Sequence, residues 1–159
     1  MNYFDIGPQN SRGFRALKIW LALQHAGAAG YRQMIQDDTL LAQYLYELAS
    51  DHPELEAITH NLSITTLRYV PQELRAGVGS PRTEDYLNEL NQHLLAAIEK
   101  SGEAFISNAV IDGKYALRFC IVNFRTSTGD IEAMPQLLVR MGRQTHSELC
   151  DLLIPFEPK

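Results

Sequence analysis

The sequence predicts an α+β fold, in which an antiparallel sheet carries its helices on one face. Three observations support this prediction: two apolar helical segments open the chain, an order of β-β-α-β-β-α follows, and Asp112-Gly113 joins the last two strands. An Asp-Gly pair between alternating apolar segments is the strongest short-range signal for a two-residue hairpin turn. Strands with such short connections run antiparallel, and helices segregated to one face cover the apolar side of the sheet.

The two N-terminal helices are separated by a glycine-containing break. Residues 13–26 are apolar on nearly all sides, and residues 31–49 carry apolar side chains at mostly three- and four-residue steps. Between them, residues 27–30 (GAAG) are expected to bend or end the first helix, and Pro53 limits the second. A helix that is apolar all round is usually buried inside a larger body. We therefore expect more protein to cover the first helix than a domain of this size supplies.

The strands are predicted from β-branched and aromatic residues that lie between turn signals. They fall at 54–59 and 63–70, and then at 105–111 and 114–124 on either side of the hairpin turn. Residues 72–82 contain two glycines and a proline and are expected to form a loop. In the last strand, alternation assigns one face to Tyr115, Leu117, Phe119 and Ile121 and the other to Ala116, Arg118, Cys120 and Val122.

The two later helices are predicted from caps and apolar stripes. Thr83 precedes acidic residues, which suit a helix N-terminus, and Gly102 is placed to end this helix. Ser127 or Thr128 caps the last helix. The predicted inner faces are formed by Leu87, Leu90, Leu94 and Ile98 on the first of these helices and by Met134, Leu137, Leu138 and Met141 on the second.

Composition excludes several classes of function. The 159 residues contain 14 Lys and Arg against 19 Asp and Glu, which gives a net charge of -5 and an isoelectric point near 5.5. An acidic domain has no electrostatic footprint for nucleic acid or for an anionic membrane surface. No apolar run approaches the roughly 18 residues of a membrane span, and the N-terminus lacks the apolar core of a signal peptide. We therefore expect a cytoplasmic protein.

Common motifs of metal, nucleotide and thiol sites do not occur in the sequence. The five histidines stand singly and form no HExxH, and Cys120 and Cys150 belong to no CxxC pair, so we expect no metal site. Neither GxGxxG nor GxxxxGK[ST] is present, and the GVG at 77–79 is more typical of a turn than of a phosphate cradle. No catalytic residue is assigned from these patterns.

Arg118 is the most informative charged residue. It alternates with Ala116 and Cys120 on the less apolar face of what reads as a central strand. A charge in that position must be paired or must face a ligand, because an unpaired buried charge is costly. A guanidinium binds a carboxylate through two parallel hydrogen bonds, so Arg118 is a candidate for binding a substrate carboxylate. A structural salt bridge is the alternative, and Arg68 on the 63–70 strand poses the same choice.

Three basic residues, Arg12, Arg15 and Lys18, stand three positions apart and share one face of the first helix. They could dock an anion or an acidic partner helix. A solvated basic stripe is the more ordinary interpretation and is favoured here. No chemical step is assigned to them.

Six segments carry a resemblance to a known family. They are SRGFRALKIWLAL (11–23), GYRQMIQDD (30–38), LRYVP (67–71), LNELNQHLLAAI (87–98), DGKYALRFCIVN (112–123) and TSTGDIEAM (126–134). In this order they resemble the group II pyridoxal-phosphate (PLP)-dependent amino acid decarboxylases, which include the aromatic-L-amino-acid, histidine and glutamate decarboxylases. The SRGFRALK block together with the LRF strand is the most specific part of the likeness.

The resemblance implies that the chain corresponds to the C-terminal third of such an enzyme. Residues 1–52 would be the end of the large domain with its connecting helices. Residues 53–159 would be the small C-terminal α+β domain of fold-type I PLP enzymes. The missing N-terminal and large domains, or a second copy in a homodimer, would cover the apolar first helix, and the parent reaction would be decarboxylation of an L-amino acid.

The cofactor implied by the resemblance is PLP, but this chain lacks the family's lysine motif. The lysine that forms the Schiff base in the family follows a histidine, upstream of the region represented here. The lysines of this chain, none of which follows a histidine, are Lys18, Lys100, Lys114 and Lys159. The family's cofactor-stacking histidine is missing as well. We therefore expect no PLP to bind this chain alone and no decarboxylation by it.

The resemblance also implies two kinds of site residue. Arg118 matches the arginine of the LRF strand, which lies near the substrate carboxylate in family members that act on acidic substrates. The block that packs near the large domain and the dimer interface supplies the interface candidates Arg12, Phe14, Arg15, Lys18 and Trp20. Two alternatives stay open: a non-catalytic dimerisation or interaction domain derived from this family, and an unrelated ligand-binding domain with a closed pocket around Arg118.

Overall fold

The computed structural model describes residues 13–153, with side chains described through residue 150. The strands are β1 (Leu55–Asn61), β2 (Ile64–Tyr69), β3 (Ser107–Ile111) and β4 (Lys114–Cys120). The helices are α1 (Ala16–Asp51), a short 3₁₀ segment (Gln72–Gly77), α2 (Pro81–Ser101) and α3 (Thr128–Leu153). The element order and the α+β class are therefore those predicted from the sequence.

Helix α1 contains the predicted break. Gly27 has φ 65° and ψ 174°, so the residues before and after it form two helical segments across a kink. A positive φ of this kind is readily adopted by glycine and costs other residues energy. The chain divides into two compact units, of which the first ends at Met34 and the second begins at Ile35.

The four strands form one antiparallel sheet in the order β1-β2-β4-β3. The predicted hairpin between β3 and β4 is present, and both of its turn residues have positive φ, 50° at Asp112 and 80° at Gly113. Two positive φ values in a two-residue loop match the right-handed twist of the strands it joins. The β1–β2 turn also has a positive φ, 48° at Leu62. Leucine does not favour this conformation, so the residue type did not predict it.

One face of the sheet packs against helices within the second unit. The side chain of Thr65 on β2 donates to the carbonyl of Ala42 on α1, and Gly142 on α3 lies directly against the ring of Tyr69. A methyl group at Gly142 would stand 2.6 Å from that ring, so only glycine allows this approach. The fully buried residues of this core include Leu45, Leu67, Leu87, Leu90, Leu94, Ile98, Leu117 and Leu138. The predicted inner faces of both later helices are thereby confirmed, with Met134 partly buried.

Helix α2 begins earlier than the sequence analysis expected. Ser80 is its N-cap, and the Ser80 hydroxyl accepts a hydrogen bond from the backbone N–H of Thr83. Pro81 occupies the first helical position, where its missing N–H costs nothing and its fixed φ suits the helix. The predicted loop at 72–82 is therefore the 3₁₀ segment followed by a short connection into α2.

Two asparagines of α2 complete the backbone bonding of the sheet where β2 and β4 stop pairing at Leu67 and Leu117. Asn91 accepts from the N–H of Tyr69 (2.8 Å) and donates to its carbonyl (3.0 Å). Asn88 accepts from the N–H of Tyr115 at 2.7 Å. Buried backbone groups need partners, so these side chains replace the missing rungs of the ladder.

Candidate functional site

Arg118 lies in the middle of the sheet, on the face opposite the helices that pack against β2 and β4. Its Cα partner is Thr66 on β2 and Ser107 on β3, so these three side chains form one row across the sheet. Directly paired residues of antiparallel strands point to the same face, and this face alternates with the one that carries Leu67 and Leu117. The predicted assignment of Arg118 to the less apolar face of a central strand is thus consistent with the sheet register.

Arg118 is half-buried, and its guanidinium makes one weak side-chain hydrogen bond among the described residues. Its Nη1 lies 3.5 Å from the hydroxyl of Ser107, at the outer limit of a hydrogen bond. Within residues 13–150, no carboxylate forms an ion pair with it. Its neighbours two positions away on β4 are the small residues Ala116 and Cys120, of which Ala116 is buried and Cys120 exposed. The structural salt bridge considered as an alternative is not formed in the described part of the chain.

Arg68 shows the opposite outcome on the same face. Its side chain is fully buried, and its Nη1 and Nη2 donate to both oxygens of Glu84 at 2.6 and 3.1 Å. Its Nε donates to Glu56 at 2.7 Å, and Lys114 donates to the other oxygen of Glu56 at 2.6 Å. These four residues form a structural network around the buried Arg68, with Glu56, Glu84 and Lys114 partly exposed, so Arg68 is no candidate for a ligand.

The network sets the protonation of its carboxylates. The hydrogen bond from Arg68 lowers the pKa of Glu84, against the opposing effect of burial. Burial also acts to raise the pKa of Glu56, but the hydrogen bonds from Lys114 and Arg68 outweigh it and lower that pKa. Both carboxylates are therefore charged at neutral pH and already bound to a guanidinium.

The predicted interface residues lie in the first unit, where the structure leaves a strongly apolar surface uncovered. The side chain of Phe14 is 71% exposed and that of Trp20 is 56% exposed, and Arg15 and Lys18 are exposed as well. Other large apolar side chains exposed on this segment are Leu17, Ile19, Leu21 and Leu23. Arg12 lies outside the described residues. Exposed apolar area of this extent is typical of a surface that another protein covers.

The described lysines do not fit a PLP site. Lys114 is paired with Glu56, and Lys18 stands exposed on the first helical segment. Lys100 lines an open groove in which Arg140 is already paired with Glu103 and a second carboxylate, Glu148, is present. A PLP site needs a lysine near both a phosphate-binding group and an acidic partner for the pyridine nitrogen. No described lysine meets these conditions.

The described residues offer neither a metal cluster nor a membrane-spanning helix. No three His, Cys, Asp or Glu side chains among them are placed to hold a metal ion. Their helices contain no segment both long and apolar enough to cross a membrane. Open grooves lie beside Met134 and Arg140, beside Leu40 and Tyr44, and beside Lys100, and Arg118 lines none of these three.

Sequence reasoning selected Arg118 but missed the residues next to it. Thr66 and Ser107 join its row through strand pairing over long sequence separations, and local patterns carry no information about that register. The hydroxyl of Thr66 contacts that of Thr59 at 2.7 Å, which extends the polar row to β1. The β-branched residues of the 63–70 segment predicted a strand there, but they did not indicate which strand it pairs with.

Comparison with known proteins decides the relationship. An aromatic-L-amino-acid decarboxylase from Bacillus atrophaeus is 33% identical over 142 residues, which are 89% of this chain and 28% of that protein. Tyrosine decarboxylase 2 from Arabidopsis thaliana is 34% identical over 122 residues, which are 76% of this chain and 21% of that protein. This chain is a homologue of the C-terminal part of the group II decarboxylases. No family model matches it.

Solved structures support the fold of this homologue. Mouse CSAD in its apo form matches with a TM-score of 0.78 at 22% identity, over 89% of this chain and 30% of that chain. Oryza sativa TDC with PLP and tryptamine matches with a TM-score of 0.71 at 24% identity, over 88% of this chain and 29% of that chain. The homologue therefore spans less than a third of the relatives it matches.

Proposed function

We propose that this chain is the C-terminal part of a PLP-dependent decarboxylase that removes CO2 from an aromatic L-amino acid. The substrate class is supported by the names of the relatives, which are aromatic-L-amino-acid and tyrosine decarboxylases. The observation that carries the proposal is the half-buried Arg118, whose guanidinium forms no ion pair with any carboxylate of residues 13–150. PLP, held by the rest of the enzyme, supplies the electron sink for the reaction.

In this proposal Arg118 contacts the α-carboxylate, the one carboxylate that an aromatic amino acid has, rather than the side-chain carboxylate of an acidic substrate. A guanidinium offers two parallel N–H donors that match the two oxygens of a carboxylate. The network around Arg68 cannot compete for that carboxylate, because its guanidinium is already saturated by Glu56 and Glu84. Ser107 lies at the edge of hydrogen-bond distance and limits the orientations of the Arg118 side chain, which makes it a positioning residue.

The 159-residue chain alone is expected to be inactive, since no described lysine fits a PLP site. The test is the release of labelled CO2 from L-tyrosine and L-tryptophan by the purified chain, with and without added PLP. No release above a protein-free control is expected. PLP-dependent release would show that these residues form a complete active site and would contradict the proposal of a partial one.

The size of the protein in its source cell tests the parent enzyme directly. An antibody raised against this chain is expected to detect a band several hundred residues longer on an immunoblot. In that longer protein, Arg118→Met is expected to raise the KM for the amino acid by about tenfold, the effect of losing one charge-assisted contact of roughly 1.4 kcal/mol. A single band at the size of the chain, with no longer form, would contradict a full-length parent.

A second candidate function is favoured by the uncovered apolar surface of the first unit. In this alternative the chain is a non-catalytic dimerisation or interaction domain that Phe14 and Trp20 help to dock. Size-exclusion chromatography with light scattering would then give a dimer of the 159-residue chain, and Trp20→Ser would weaken it. A chain that stays monomeric at high concentration and binds no hydrophobic dye would remove the basis of this alternative.

A further inference from the structure

Four reactive side chains meet in the helical layer, away from the face that carries Arg118. Glu73 comes from the 3₁₀ segment, Tyr86 from α2, and His146 and Cys150 lie one turn apart on α3. We call these four residues the His146 cluster. The ring of Tyr86 packs against the core, but none of the four belongs to the network around Arg68, and core packing does not explain why Glu73, His146 and Cys150 meet at the Tyr86 hydroxyl.

Each member of the His146 cluster contacts the next. The Nε2 of His146 is 2.8 Å from a carboxylate oxygen of Glu73, and its Nδ1 is 2.6 Å from the hydroxyl of Tyr86. The sulfur of Cys150 is 3.8 Å from that Nδ1, 3.9 Å from Nε2 and 3.8 Å from the Tyr86 hydroxyl. The thiol is therefore within reach of a base, and the base is held by a carboxylate.

The chemistry of the groups fixes the tautomer of His146. The Glu73 carboxyl has its pKa lowered, first by a hydrogen bond from its own backbone N–H and then by His146, so the charged carboxylate can only accept. The Nε2 of His146 consequently donates its proton to Glu73. The neutral ring then carries its lone pair on Nδ1, on the side of Tyr86 and Cys150.

Tyr86 keeps its own proton in this arrangement. Burial, and then its contact with Cys150, raise the pKa of the Tyr86 hydroxyl, and the carboxylates of Glu89 and Glu73 act in the same direction. Its O–H therefore donates to Nδ1 of His146. The Tyr86 oxygen keeps lone pairs that can accept from the Cys150 thiol, whose sulfur lies 3.8 Å away.

We propose that Cys150 is a nucleophilic thiol and a site of modification by small disulfides, with His146 as its general base and Glu73 as the group that orients that base. A nucleophile, a base within reach and a third group holding the base are the arrangement that activates weak nucleophiles in proteins. Cys150 is half-buried, so a small reagent suits this position better than a bulky one.

The step is thiol–disulfide exchange. The Cys150 thiol passes its proton to the Tyr86 oxygen while the Tyr86 O–H proton moves to Nδ1 of His146, and the sulfur attacks one sulfur of the disulfide. A new S–S bond forms, the original S–S bond breaks, and the second sulfur leaves with the electron pair as a thiolate. That thiolate then takes the proton from His146, so the disulfide is the only oxidant and the ring returns to its starting state.

The test compares two cysteines of the same molecule. The 159-residue chain is treated with hydroxyethyl disulfide, an uncharged probe that the carboxylates of Glu73 and Glu89 do not repel. Mass spectrometry of digested samples gives the rate at Cys150 relative to Cys120, which is exposed and has no base among the described residues. We expect the rate at Cys150 to be higher by about tenfold, less than the roughly hundredfold that a fully positioned general base supplies.

Two variants separate this chemistry from simple exposure. His146→Asn is expected to bring the rate at Cys150 down to that at Cys120. Glu73→Gln, at a solvent-exposed position, is expected to lower the ratio by about threefold while the fold is retained, because the ring loses its orienting charge. The proposal is overturned if Cys150 reacts no faster than Cys120 in the unaltered chain, or if His146→Asn leaves the ratio unchanged. Should His146→Asn fail to fold, an unchanged ratio in Glu73→Gln overturns it.

Discussion

Arg68 and Arg118 stand on neighbouring strands and on the same face of one sheet, but their surroundings differ sharply. Arg68 is fully buried and bonded to two carboxylates, whereas Arg118 is half-buried and its guanidinium has, among the residues that the structure describes, only the hydroxyl of Ser107 at 3.5 Å. The helix α2 accounts for the difference, because its first turn brings Glu84 to one arginine and nothing to the other. A buried arginine whose hydrogen bonds are complete serves the fold, and one whose hydrogen bonds are open is available to a ligand.

The largest expected effect follows from removing the buried arginine. Arg68→Met leaves Glu56 and Glu84 without their guanidinium, and breaking a buried ion pair from one side costs about 3 kcal/mol or more of folding free energy. Urea unfolding followed by circular dichroism measures this loss. A change below about 1 kcal/mol, within the range of ordinary single substitutions, would show that the network contributes little to stability.

A smaller effect, with a defined pH dependence, is expected for Glu84→Gln. The change removes one charge-assisted pair and should cost about 2 kcal/mol at pH 7. Because the folded-state pKa of Glu84 is lowered, its contribution is complete above the unfolded pKa of about 4.3 and is lost as the pH falls through the folded value. The stability difference between Glu84→Gln and the unaltered chain should therefore shrink below about pH 4.

The matched control for this titration is Glu99→Gln, an exposed position on the same helix. It should change stability little at any pH, because its carboxylate is open to solvent. A gap between Glu84→Gln and the unaltered chain that stays constant from pH 7 to pH 3 would mean that the Arg68 pair does not hold Glu84 in its charged form.

The smallest effect is expected for the second arginine. Arg118→Met breaks no ion pair within the described residues, so the free energy of unfolding should change by no more than about 0.5 kcal/mol. Thermal unfolding of this variant beside Arg68→Met sharpens the comparison directly. Equal losses in the two variants would show that Arg118 is structural and would remove the reason for assigning it to a substrate.

Local signals predicted much of this fold. The Asp-Gly turn, the glycine break at Gly27 and the apolar stripes of α2 and α3 are encoded in short stretches, and the structure contains all of them. The turn at Leu62 and the start of α2 at Ser80-Pro81 were missed. At Leu62, strand pairing imposes a conformation that the residue type does not favour. Ser80 is a favourable N-cap residue, but the sequence analysis assigned it to a loop.

The site was less predictable because it depends on contacts between distant parts of the chain. Arg68 and Arg118 were equally ambiguous as residues on strands, and only the arrival of Glu84 from α2 distinguishes them. The His146 cluster could not be predicted for the same reason. Its histidine and cysteine belong to no recognised motif, and Tyr86 lies 60 positions away from His146 in the sequence. Its one local signal was the four-residue spacing of His146 and Cys150, which places both on one face of a helix.

Because two asparagines of α2 accept hydrogen bonds from backbone amides of the sheet, hydrogen exchange at those amides depends on the helix as well as on the strands. The amide protons of Tyr69 and Tyr115 are held by side chains of a helix, whereas those in the paired part of β2 are held by other strands. Exchange at these two amides therefore reports the detachment of α2, and exchange at the paired amides reports the opening of the sheet. A single labelling experiment can thus separate the order in which the helical layer and the sheet come apart.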